Sequence, residues 1–196
     1  DMRDIQERPL RILFMATSPN DVKPLLDFEQ EEAQILKATR DIPLDLRVEE
    51  SGCIAELGKL WGRYREPFDV FHLTGHASIE DNQPFFITEN ETGERHNAYA
   101  SEIASTLRFR MPQLVFLSGC RTGEAPSDGA VSSLAESLIE QGCRAVLGWG
   151  RPVADVIATQ AASHLYSKLA AGYQIAEALA NTYQHLREAK VEDWHL

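Results

Sequence analysis

The sequence predicts a three-layer α/β fold, a mostly parallel sheet with helices on both faces. Two observations carry that expectation. Short apolar runs that read as strands alternate along the chain with stretches of helical periodicity. The run Leu114, Val115, Phe116, Leu117 is apolar at every position, as in a strand buried on both faces of a parallel sheet. Alternating strands and helices imply parallel neighbours joined by right-handed crossovers. At 196 residues the chain can bury a real core.

Residues 10–16 read as the first strand, followed by the polar loop 17–21. A Ser/Thr/Asn loop after a strand can bind phosphate, but no glycine-rich fingerprint is present, so a nucleotide site is not expected. Residues 25–40 read as an amphipathic helix with Phe28, Ala33, Ile35 and Leu36 on its apolar positions. Glu29, Glu31 and Glu32 crowd its first half, where negative charge suits the helix dipole. Residues 44–48 alternate apolar and polar, as an edge strand does. A helix follows over 54–64, and then a short strand ends at Thr74-Gly75, just before His76. His72 lies inside that strand and reads as a hydrogen-bonded core histidine. Residues 84–88 and 94–97 suggest a small hairpin lying outside the main sheet, with His96 on its surface. A short helix over 99–107 leads into the strand at 114. Further on, Asp128 is placed to cap a helix over 130–141 that Gly142 closes, with Val131, Leu134, Ala135, Leu138 and Ile139 as its buried stripe. A strand over 145–149 and helices over 153–171 and 173–190 complete the pattern.

Composition narrows the function classes. A hydrophobic content of 43% and a charged content of 25% are ordinary for a soluble globular protein. The net charge of −11 argues against a nucleic-acid surface and fits a basic peptide partner. No apolar run approaches the roughly 18 residues that span a membrane, and residues 1–9 read as a linker rather than a signal peptide. A cytoplasmic location is expected. Cys53, Cys120 and Cys143 are too few and too scattered for a disulfide framework or a zinc site, so no metal and no cofactor are expected. Cys53 and Cys143 read as structural.

The chemistry concentrates in two stretches. Ser118-Gly119-Cys120-Arg121-Thr122-Gly123 ends the buried strand with small residues that let the backbone turn tightly. That edge is where ligands bind in open α/β sheets. Cys120 there is placed either as a nucleophile or as a buried structural thiol, since free cysteine is often buried. The stretch ending in His72-Leu73-Thr74-Gly75-His76-Ala77 repeats the plan, which would set His76 and Cys120 on neighbouring turns. An imidazole beside a thiol lowers its pKa and later protonates a leaving amine. Cys120 follows His76 by 44 positions, near the roughly 50-residue spacing of the caspase-type signature.

With these motifs, together with Gly142-Cys143-Arg144-Ala145-Val146-Leu147-Gly148-Trp149-Gly150 and Pro152-Val153-Ala154-Asp155, the sequence resembles the CHAT family of caspase-like domains, often joined to tetratricopeptide repeats. The resemblance covers nearly the whole chain. It implies a caspase-like fold and a cysteine endopeptidase with Cys120 as nucleophile and His76 as general base and acid. The backbone N–H groups of Cys120 and Ala77 would form the oxyanion hole; relatives often carry glycine at the Ala77 position. Asp155 corresponds to an acid that reads a basic side chain before the cut, although it could equally cap the following helix, and Arg151 could neutralise it. Residues 10–196 would form one peptidase domain, a fragment of a longer chain whose sensor or repeat domains switch it on. The implied partner is a protein or peptide substrate, and the implied setting is bacterial signalling, defence or cell death. The alternatives are a catalytically silent caspase-like module that binds partner proteins, and a flavodoxin-like domain binding a small anion.

Overall fold

Apolar strands that cannot be solvated on either face have to be covered by helices on both sides, and this is how the chain is built. The computed structural model describes residues 8–23, 28–119, 129–149 and 155–191, with backbone alone at 30, 31, 38 and 155. Among these residues the strands are β1 (Leu10–Ala16), β2 (Leu44–Glu49), β3 (Val70–Glu80), β4 (Gln83–Glu89), β5 (Arg95–Tyr99), β6 (Leu114–Gly119) and β7 (Val146–Gly148). The helices are α1 (Phe28–Ala38), α2 (Ile54–Arg63), α3 (Ala100–Leu107), α4 (Ala130–Glu140), α5 (Asp155–Ala170) and α6 (Ile175–Glu188). Five strands run parallel in the order β2-β1-β3-β6-β7, which puts β2 at an edge. The result is the expected three-layer α/β architecture with a mostly parallel sheet.

Strand alternation divides the interior into two cores. Leu10, Ile12 and Phe14 of β1, Val70 of β3 and Phe116 of β6 face α1, α5 and α6, where Ile35, Leu165, Tyr166 and Leu186 meet them. Their neighbours Leu13, Met15, Phe71, Leu73, Val115 and Leu117 face α2, α3 and α4. Of the residues expected to form the apolar stripe of α1, Ile35 is buried, whereas Ala33 and Leu36 are exposed. In α4, Leu134 and Leu138 are buried and Ile139 is exposed.

At the end of the sheet where the parallel strands start, one residue, Asp69, joins three of them. The buried Asp69 accepts a two-pronged pair of bonds from Arg8, each 2.8 Å, and another from the Arg11 backbone N–H. Its own carbonyl accepts from the N–H groups of Gln113 and Leu114. Arg11, also buried, lies over the Phe68 ring and donates to the Glu66 and Pro67 carbonyls.

The helix ends follow local chemistry. Gly142 and Gly172 close α4 and α5 in the left-handed conformation that favours glycine, and Gln174 with Glu177 makes a reciprocal cap on α6. The expected cap of α4, Asp128, lies outside the described residues, and the residue that precedes the helix is Gly129.

Two expectations are corrected. The strand before His76 does not end at Gly75: β3 runs on to Glu80, parallel to β1 and β6 up to Gly75 and antiparallel to β4 from His76. The hairpin is therefore part of the sheet, with β4 paired to β3 and β5 to β4. The physical cause is the turn at Asp81 and Asn82, both at positive φ, which folds β4 straight back onto β3. Asp and Asn tolerate that conformation better than most residues.

Gly75 is held at the change of partner by crowding. A Cβ there would collide with Thr17 Oγ1 and come within 2.8 Å of the Phe86 ring. Gly75→Ala is expected to cost about 2 kcal/mol, the usual scale of overpacking, measured by urea denaturation; a loss below about 0.5 kcal/mol would show that the site has room.

Candidate active site

In a parallel sheet all the strands deliver their C-terminal ends to one edge, so residues far apart in sequence meet there. Ala16 of β1 is in register with Thr74, Gly75 with Gly119, and Leu117 with Gly148. The Thr74 hydroxyl donates to the Ser118 carbonyl at 3.3 Å, and Thr17 N–H donates to the Thr74 carbonyl at 2.9 Å. Both bonds are buried, and they tie β1, β3 and β6 together just below the edge.

His76 stands in register with Ile87 at the start of the antiparallel half of β3, with 9% of its surface exposed. It is therefore a strand residue and not part of a turn. Its neighbour Ala77 packs toward the α2–α4 core, so alternation directs His76 to the opposite face. Ala77 too lies in the strand, opposite Phe86. Cys120, Arg151 and the side chain of Asp155 lie outside the described residues; the Asp155 backbone opens α5. The two described residues that precede His76 and Cys120 in sequence, Gly75 and Gly119, are paired with each other.

Gly119 is small for a reason different from the expected tight turn. It is still a strand residue, and a Cβ on it would lie 2.7 Å from a methyl of Val131. A Cβ on Gly148 would lie 2.5 Å from the other methyl. The first turn of α4 thus rests directly on the ends of β6 and β7.

Three donors of the loop after β1 are occupied by the chain itself. Ser18 N–H donates to Glu89 Oε1 at 2.8 Å, Thr17 Oγ1 donates to the Ile87 carbonyl at 2.8 Å, and Asn20 N–H donates to the Gly93 carbonyl. The end of β2 is filled in the same way: buried Glu49 accepts from Ser51 N–H and Oγ and from Gly52 N–H. Carboxylates of the chain itself thus take donors of the kind that bind phosphate in other α/β folds. The Glu89 clamp was not foreseen from sequence; it joins residues 71 positions apart.

His72 is fully buried, with Nδ1 and the Tyr166 hydroxyl 2.8 Å apart and the rings of Phe14 and Phe116 against it. It is the core histidine the sequence suggests. His96 is half-exposed and has a partner, Glu102, with Nε2 3.0 Å from both carboxylate oxygens. Cys53 and Cys143 are buried free thiols. Burial pushes the Cys143 thiol up from its ordinary pKa, which keeps it protonated and unreactive near neutrality. Among the described residues there is no group of three or more His, Cys, Asp or Glu side chains that could hold a metal ion, and no helix long and apolar enough to cross a membrane.

Sheet topology defines an α/β domain with a mostly parallel sheet, in which His76 and the Gly75–Gly119 pair lie near the C-terminal edge of the parallel strands. The CHAT domain family matches residues 2–195, and the chain belongs to that family, one of caspase-like peptidases. No curated protein matches. Among solved structures, the chain is similar to the signal receiver domain of a protein described as a Luxo repressor from Vibrio parahaemolyticus, with 14% identity over 95% of each chain and a TM-score of 0.40. A likeness that loose says nothing about activity.

Two measurements check these assignments. Tyr166→Phe removes the hydroxyl from buried His72 and is expected to cost about 1–2 kcal/mol in denaturant unfolding. The Cys143 pKa is raised in the folded state, so the unfolded chain ionises first as pH rises. Stability is expected to fall above about pH 8.5, and Cys143→Ala should remove that part of the decline.

Proposed function

We propose that this chain is a cysteine endopeptidase in which Cys120 is the nucleophile and His76 the general base and acid. One observation supports it above the others. The last parallel pair, Gly75 with Gly119, brings to one point of the edge the two chain segments that continue into His76 and Cys120. Family membership supports the same assignment.

In the proposed reaction His76 takes the thiol proton of Cys120, and the thiolate attacks the scissile carbonyl carbon. The oxyanion accepts from the backbone N–H groups of Cys120 and Ala77. The imidazolium returns its proton to the leaving amine as the C–N bond breaks, which leaves a thioester. Water, deprotonated by His76, then hydrolyses the thioester and restores the thiol. Asp155, the residue that opens α5, would pair with an arginine or lysine side chain on the acyl side of the cut. The protein would act in the cytoplasm as a regulated effector in bacterial signalling, defence or cell death, switched by domains outside residues 10–196. Its partner would be a protein substrate.

Cleavage of a diverse peptide library by the full-length protein, together with its activator, tests this. Cys120→Ala should abolish cleavage, and His76→Gln should lower kcat/KM about 10³-fold. Asp155→Asn should erase a preference for Arg or Lys. Cleavage that survives Cys120→Ala would refute the dyad, and partner binding without cleavage by the active chain would mark a silent binding module.

A further inference from the structure

Helices α1, α5 and α6 leave between them an open groove of about 710 Å³ on the face away from α2, α3 and α4. Gln34 and Lys37 come from α1, Gln160, Ser163 and His164 from α5, and His185 from α6. Among the described residues, none that lines it carries a carboxylate. On a chain with a net charge of −11, a groove whose described ionisable groups are all bases stands out.

Two of those bases stack on each other. The rings of His164 and His185 are 4.2 Å apart and within 4° of parallel. Neutral imidazoles stack well in this way, whereas two imidazolium rings at that distance repel. Among the described residues, no carboxylate acts on His164. Burial, then His185, then Lys168 hold His164 below the ordinary histidine pKa. Lys37 faces it from α1, while β1, which also packs on α5, presents Leu10, Ile12 and Phe14 to this side. Lys168 lies near the Tyr173 ring, and Glu188 of α6 is bonded to Gln184 of its own helix. Among the described residues the groove thus presents two imidazoles and a lysine, and no acid.

The groove is also long. Along α5 its lining extends from Val156 to Ser167, which at the helical rise is about 16 Å, or about five extended residues. Val156, 67% exposed, gives it one apolar contact. This shape fits a stretch of chain better than a single ion.

We infer that this groove docks an acidic peptide segment whose carboxylates lie against the His164–His185 pair and Lys37. Charge complementarity selects such a partner, and docking draws protons onto the stacked histidines. The sign follows from the histidine pair: a carboxylate favours the charged imidazole, so proton uptake accompanies docking and affinity rises as pH falls. The inference does not rest on the peptidase reading.

The test is calorimetric titration of the full chain with a glutamate-rich decapeptide at pH 7.5 and pH 6.0. Binding is expected to be about tenfold tighter at pH 6.0, with net proton uptake shown by the dependence of the heat on the buffer. His185→Gln should remove most of that pH dependence. Lys37→Gln should weaken binding at both pH values and leave the dependence in place. In the unsubstituted protein, NMR titration should show the His164 imidazole pKa raised by the peptide. Absence of binding, affinity independent of pH, an unchanged His164 imidazole pKa, or a His185→Gln protein that behaves like the parent would each overturn the proposal. An equal response to free glutarate at matched carboxylate concentration would assign a small-anion site and overturn the peptide reading.

Discussion

Close packing around Gly75 is the constraint on which this architecture depends. Thr17 and Phe86 press on the same point from two sides, and neither leaves room for a Cβ. Up to that residue β3 belongs to the parallel sheet; beyond it the same strand belongs to the antiparallel hairpin. One backbone therefore serves two kinds of pairing, and the change of partner occurs immediately before His76. A bulkier residue would push Thr17 away from the Thr74 and Ile87 carbonyls that it bonds, and so loosen the joint between β1, β3 and β4.

Beside this joint, carboxylates of the chain itself take loop donors at two strand ends. In many α/β proteins the loop after the first strand receives a phosphate through its backbone donors. Here Glu89 takes the Ser18 N–H, and Glu49 fills the corresponding place after β2. The anion at each of these strand ends belongs to the protein. Buried Glu49, which accepts from three donors, and half-buried Glu89, which takes the Ser18 N–H, stabilise the loops they hold.

Much of the layer arrangement was legible in the sequence because burial on two faces leaves an unbroken apolar run, as in β6. His72 was legible as a core residue because apolar neighbours flank it in its strand. The continuation of β3 was missed although His76-Ala77-Ser78-Ile79-Glu80 alternates polar and apolar, because the small Ala77 and the single Ile79 make that alternation weak. The usable signal was Asp81-Asn82, a pair suited to a two-residue hairpin turn. Gly119 was singled out correctly as a special position, but its reason, the methyl of Val131, comes from a helix that begins eleven residues later. The stacked histidines on α5 and α6 depend on how two helices pack, and no periodicity in one segment reports that.

The opposite end of the sheet has a different character. Arg8 grips Asp69 with both guanidinium prongs, and Asp69 in turn is bonded to β1 and to the residues that start β6. Tension applied at residue 8 would enter the base of three strands at once, pulling along the strands rather than peeling one from its neighbour. Strands loaded along their length share the force among many hydrogen bonds, so the domain is mechanically stiff along that direction. A tether fastened there could be pulled hard while the glycine pair at the far edge kept its register.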